Sequence, residues 1–176
     1  SLALPYLVFM FKFVDGMFDH LKCAFSDRPL QSLDERPLKP YISNIDNTLK
    51  VCLGASFDRS GLQKDNVYQQ SSYILSYFWQ AVNSDEWASL FWENKKHFQN
   101  TDSRLATMEA WQEASAENSL FVIEDVQWLK FTEESFGDMI VRLFEEDKSN
   151  LQLHEEIHHD LTETFLKDIT KTFNEN

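Results

Sequence analysis

The chain has 176 residues, is 43% hydrophobic and 14% aromatic, and carries a formal net charge of −13 with a pI of about 4.7. That balance excludes nucleic-acid binding through the phosphate backbone, which needs a basic face, and adhesion to anionic lipid. The length fits one domain, 1–176, able to bury a sizeable core.

The opening segment, LALPYLVFMFKFV, is too short to span a bilayer, and Lys12 interrupts it. No basic stretch precedes it, so it does not read as a signal peptide. The chain does not begin with Met, which fits a domain excised from a larger protein. Leu4, Leu7, Val8, Phe11, Val14, Phe18, Leu21 and Phe25 recur at helical spacing, and Phe9, Met10, Phe13 and Met17 add apolar surface elsewhere. The spacing predicts a helix that is apolar nearly all round and therefore central. All four prolines fall in the first 40 residues, and Asp27 to Pro40 reads as a proline-rich connector. A second helix is predicted from Tyr41 to Leu53, stopped by Gly54.

Ser56 to Asp65 reads as a loop. Val67, Ser71, Ile74, Phe78 and Ala81 mark a third helix. Ser84, followed by Asp85 and Glu86, is a good N-cap for a fourth that carries Trp87, Leu90, Phe91, Trp92 and Phe98. Thr101 and Asp102 are candidate caps for a fifth, with Leu105, Met108 and Trp111 inward. Ser119 to Phe131 reads as helix, Thr132 as the cap of another using Phe136 and Met139, and the last runs to about Phe173. From Leu62 onward there is no proline and a single glycine, Gly137, a stretch hard to build from strands and tight turns. The predicted fold is all-α: a bundle of roughly eight helices with no sheet.

Cys23 and Cys52 have no CxxC partner and read as small buried hydrophobes, which favours a reducing, intracellular (cytoplasmic) setting. Residues 131–176 hold 12 acidic residues against 4 basic ones. Glu145, Glu146 and Asp147, with Glu155, Glu156 and Asp160, form a candidate acidic docking surface, for which the matching partner is basic.

The stretch His154 to His158, HEEIH, fits the H-E-x-x-H pattern of zinc hydrolases. On a helix, His154 and His158 sit one turn apart, and Glu155 takes the position of the general base. A catalytic zinc also needs a third protein ligand and an open water position. The 18 residues after His158 offer no H-E-x-x-H-x-x-G-x-x-H continuation, and charged Glu156 stands inside the motif. The favoured reading is two histidines packed at the edge of a helical interface, with no metal or other cofactor.

The expectation that follows is a non-catalytic helical module that binds a protein partner through the acidic surface or the aromatic residues around Trp79, Trp87 and Trp92. Two alternatives stand beside it: a zinc-dependent hydrolase centred on His154, Glu155 and His158, and a carrier of an apolar ligand in an aromatic-rich helical interior. The missing third ligand predicts no stoichiometric metal. Elemental analysis of protein purified without added metal is the check, and stoichiometric zinc lost in His158→Ala would establish the hydrolase reading instead.

Overall fold

The computed structural model describes residues 1–81 and 89–142. Residues 1–133 form one compact unit, and the chain from Glu134 onward forms a second. The described residues mix helix and sheet, so the expected all-α bundle is incorrect. Five helical segments accompany a two-stranded antiparallel sheet.

The largest correction falls on the opening segment. Tyr6–Val14 is a strand, β1, and Met17–Ser26 is its partner, β2. The turn between them is Asp15-Gly16, and both residues have positive φ, 49° and 76°. Two left-handed residues in a two-residue loop make the type I′ turn, whose twist matches that of the flanking strands. The segment misleads because it is apolar at odd and even positions alike, so a period of 3.6 finds as many matches as a period of 2. Leu7, Phe9, Phe11 and Phe13 share one face of β1, opposite Phe25, Cys23, Leu21 and Phe18 of β2. The register shifts once, between Lys12 and Phe13, where Asp19 is the extra residue of a bulge in β2.

The predicted helix over residues 41–53 is likewise absent. The chain there lies along the outer edge of β2, where the Cys23 N–H donates to the Leu49 carbonyl (2.9 Å) and the Val51 N–H to the Leu21 carbonyl (2.8 Å). Leu49 itself is left-handed, at φ 66°. Asp46 holds this loop, its Oδ1 accepting from the Thr48 and Lys50 N–H groups. Nearer the proline-rich connector, Leu38 and Phe25 exchange backbone hydrogen bonds, and Leu38 also bridges to Lys130. β2 is therefore flanked on both sides.

Helix α1, Val67–Gln80, stands where the periodicity predicts it, capped by the Asn66 side chain accepting from the Gln69 N–H. Helix α2, Ser89–Thr101, follows, and Ser84 and Trp87 lie outside the described residues. Asp102 caps a short 3₁₀ turn, Ser103–Leu105, and Thr107 caps helix α3, Met108–Glu117. The helix predicted over residues 119–131 shrinks to α4, Phe121–Glu124, after which the chain extends to pair at Lys130. In the second unit, residues 136–142 are helical, and Ser135 with Asp138 forms the capping pair at its start.

Two buried clusters organise residues 1–133. One joins Phe25, Tyr41, Phe98, Leu105, Trp111, Phe121 and Trp128. The other joins Phe18, Leu21, Cys23, Ile45, Val51, Ile74 and Phe78 beneath the phenylalanines of β1. The link between α1 and the hairpin is Gln70, which is fully buried. Its Oε1 accepts from the Phe18 N–H (2.8 Å), and its Nε2 donates to the carbonyls of Gly16 (2.7 Å) and Gln63 (2.9 Å). Gly16 also lets Asp65 pack against the turn, because a Cβ there would collide with the Asp65 carboxylate.

Gly16→Ala should cost about 1–2 kcal/mol from the left-handed backbone alone. In Gln70→Leu the Gly16 and Gln63 carbonyls keep other donors, the N–H groups of Asp65 and Asn66, while the Phe18 N–H is orphaned. The expected loss is roughly 1–3 kcal/mol, the cost of one buried unsatisfied donor. Urea unfolding followed by circular dichroism measures both.

Candidate aromatic binding cleft

Among the described residues, the arrangement best suited to binding is a cleft with two adjoining lobes, of about 400 and 370 Å³. Tyr41, Phe91, Met108 and Trp111 line both. Tyr41 comes from the loop beside β2, Phe91 from α2, and Met108 and Trp111 from the start of α3. Their positions follow from the first cluster, in which Tyr41 stacks on Trp111 (centroids 5.2 Å apart, planes at 17°) and leans on Phe91 (4.8 Å).

Tyr41 and Trp111 are each tied down by a polar tip. The Tyr41 hydroxyl donates to the Leu105 carbonyl (3.2 Å), and the Trp111 indole N–H donates to the Ala3 carbonyl (3.0 Å). The Ala3 N–H in turn donates to Ser115 Oγ (2.9 Å), which fixes the N-terminal segment against α3. Buried aromatics with a satisfied polar handle are rigid surfaces. Burial also raises the Tyr41 hydroxyl above the usual tyrosine pKa, so it stays a neutral donor.

The two lobes differ in their remaining walls. The smaller adds Leu2, Leu4, Ile42, Asn44, Phe78 and Trp79. The larger adds a polar rim of Lys95, Gln99, Thr107 and Glu109. Three large apolar side chains stand exposed around the cleft: Trp79 at 62%, Trp92 at 48% and Met108 at 43%. Met108 is thus at the mouth rather than inward as its spacing suggests. Trp92 lies against Phe91 (5.6 Å) and under the Lys95 ammonium (4.7 Å), a cation–π contact at the rim.

Of the sequence-predicted aromatic residues, Trp79 lines the cleft, Trp92 stands beside it, and Trp87 lies outside the described residues. The acidic residues Glu145, Glu146, Asp147, Glu155, Glu156 and Asp160 lie outside them too, as do His154 and His158. Tyr41 and Met108 were not singled out by sequence as binding residues. The only available signal for Tyr41 was an aromatic directly after a proline-rich connector.

Other polar groups in the first unit serve structure. Arg104 joins Asp102 and Asp125 (2.8 Å each) and lies over the Phe121 ring (4.8 Å). The Arg104 bond holds the Asp102 carboxyl below its usual pKa, against the opposing effect of burial. On β2, His20 Nδ1 lies 3.0 Å from Asp19 Oδ2, and burial holds the imidazole below its ordinary pKa despite that carboxylate. Among the described residues no hydroxyl or thiol is hydrogen-bonded to His20, as a nucleophile activated by this pair would be. No group of three or more His, Cys, Asp or Glu could hold a metal ion among the described residues. Nor is any helix there long and apolar enough to cross a membrane. Comparison of the chain with protein-family models, curated proteins and solved structures gave no match.

The cleft separates a structural floor from a dispensable mouth. Trp111→Ala should cost about 3–5 kcal/mol as a buried aromatic truncation. Met108→Lys, on the exposed rim, should stay within about 0.5 kcal/mol of the parent. Thermal unfolding of the two variants checks the contrast.

Proposed function

We propose that this chain is a non-catalytic module that binds a protein partner, and that the partner places large apolar side chains in the aromatic cleft. The observation that carries this reading is the pair of joined lobes sharing a rigid Tyr41, Phe91 and Trp111 floor, with half-exposed Trp79, Trp92 and Met108 around the opening. Aromatic residues and methionine are enriched in protein interfaces, and the residues that dominate binding sit in pockets of this kind. Burying an exposed tryptophan or methionine in a complex removes apolar surface from water at roughly 25 cal/mol per Å². Polar groups on the rim, such as Lys95 and Glu109, are suited to fix orientation.

A second reading uses the same cleft for a small apolar ligand, and the lobe volumes fall within the range of such pockets. The rings of Phe25, Phe98 and Trp128 do not enclose that ligand, because they pack on one another at 5.2–5.3 Å between centroids. The protein-partner reading is preferred because the lobes are open and their most exposed walls are tryptophan and methionine.

Selection of peptides from a displayed random library against the intact chain tests it. Enriched peptides should carry two large apolar residues. Their affinity should fall about tenfold or more in both Met108→Lys and Trp79→Ala, corresponding to roughly 1.4 kcal/mol, with unfolding temperatures unchanged. Peptides that bind both variants as tightly as the parent would remove the cleft from the interface. Failure to enrich any peptide, together with saturable binding of a small apolar dye that Met108→Lys abolishes, would favour the carrier reading.

A further inference from the structure

Met108 and Trp111, from the start of helix α3, line the lobes of the cleft, and Glu109 joins the rim of the larger one. Glu109, Glu113 and Glu117 follow one another at intervals of four residues, a row along one side of the helix with successive positions about 6 Å apart along its axis. All three are exposed. None forms an ion pair among the described residues, and Arg104, just before the helix, is already held by Asp102 and Asp125. Like charges four residues apart destabilise a helix, and Glu113 and Glu117 stand toward its C-terminal end, where the carbonyl dipole is already negative. No basic residue in the last turn offsets them. The α2 side of the larger lobe carries Lys95 instead, with its ammonium over the Trp92 ring. The surroundings of the cleft are therefore cationic on the α2 side and anionic along α3.

We infer, on the reading of the cleft as a protein-binding site, that the segment filling it is basic: its large apolar side chains enter the lobes while lysine or arginine side chains lie along the row of Glu109, Glu113 and Glu117. The apolar cleft supplies the site, and the charge beside it selects what fits. A cation placed on the row pairs with one carboxylate and also relieves the repulsion between that carboxylate and its neighbour one turn away. The spacing of about 6 Å matches basic residues four apart on a helix or two apart on an extended strand. A second copy of this chain is a poor occupant, because each copy carries a net charge of −13. An acidic segment meets the same repulsion locally. A basic segment is drawn to the chain at low salt, and screening weakens that attraction as salt rises.

The test uses peptides enriched from a displayed random library against the intact chain at low salt. They should carry lysine or arginine beside their apolar residues, and the tightest of them, labelled for fluorescence anisotropy, is the probe. Glu113 and Glu117 line neither lobe, so Glu113→Gln combined with Glu117→Gln alters the row and leaves the cleft intact. The probe should bind that double variant about two- to tenfold more weakly, the effect expected of two exposed ion pairs. Its circular dichroism should be unchanged and its melting temperature no lower, since repelling charges have been removed. Asp15→Asn combined with Glu124→Gln removes the same charge away from α3 and should bind as the parent does, which separates the row from general attraction to an acidic chain. Raising salt should weaken binding to the parent more than to the Glu113→Gln, Glu117→Gln variant. Selection repeated against Glu113→Lys combined with Glu117→Lys should enrich acidic residues in place of basic ones. Peptides weakened by Met108→Lys that carry no excess of basic residues, or that bind the Glu113→Gln, Glu117→Gln variant as tightly as the parent, would overturn the inference and leave the cleft as a binding site. An equal loss in the Asp15→Asn, Glu124→Gln control would overturn it in the same way. Peptides indifferent to Met108→Lys and Trp79→Ala, or failure to enrich any peptide, would overturn both.

Discussion

The first unit depends on the junction where Gln70 meets the hairpin turn. A two-stranded hairpin alone is at best marginally stable in water, and a strand pair apolar on both faces needs cover. Gln70 supplies a fixed point for that cover. Its amide accepts from Phe18 and donates to Gly16 and Gln63, so the start of α1 is held at one distance from the turn. The geometry works because Gly16 adopts a positive φ and presents no side chain to Asp65. A buried amide with every bond made is specific as well as stabilising, since a slip of the hairpin by one residue would leave several polar groups unpaired.

Once α1 is placed, Ile74 and Phe78 close the second cluster over the β1 phenylalanines, and the end of α1 is carried toward α3. The aromatic cleft forms there. Its floor belongs to the core, since Tyr41 and Trp111 are buried members of the first cluster with hydroxyl and indole N–H both bonded. Its mouth does not belong to the core, since Trp79 and Met108 add little to the packing of either cluster and stand in water. That division lets the mouth vary without unfolding the protein, as recognition surfaces require.

Electrostatics in the first unit points the same way. Lys12, Lys39, Arg36 and Arg104 each stand against carboxylates, and Arg59 caps backbone carbonyls of Phe18 and Asp19. Most of these pairs are at least partly exposed and contribute little individually. None of these groups lines the cleft, whose walls are mainly apolar.

The sequence by itself determined what local chemistry controls. Helix α1 was legible because its apolar period and its flanking polar residues agree, and the connector before residue 41 because proline excludes regular structure there. The hairpin was legible in one place only, Asp15-Gly16, the dipeptide that favours a type I′ turn. The surrounding run hid it, because a segment apolar at nearly every position satisfies a helical and an extended pattern equally. Trp79 and Trp92 could be singled out as exposed aromatics, but their relation to Tyr41, Phe91 and Trp111 could not. Those residues are brought together from the loop beside β2, from α2 and from α3 by packing over long chain separations. Only the tertiary structure decided that the phenylalanines of β1 line one face of a strand, that residues 41–53 follow an edge instead of coiling, and that Met108 opens to solvent. In each case the winning term was the need to pair the backbone of β2 and to cover its two faces, which no local window of sequence contains.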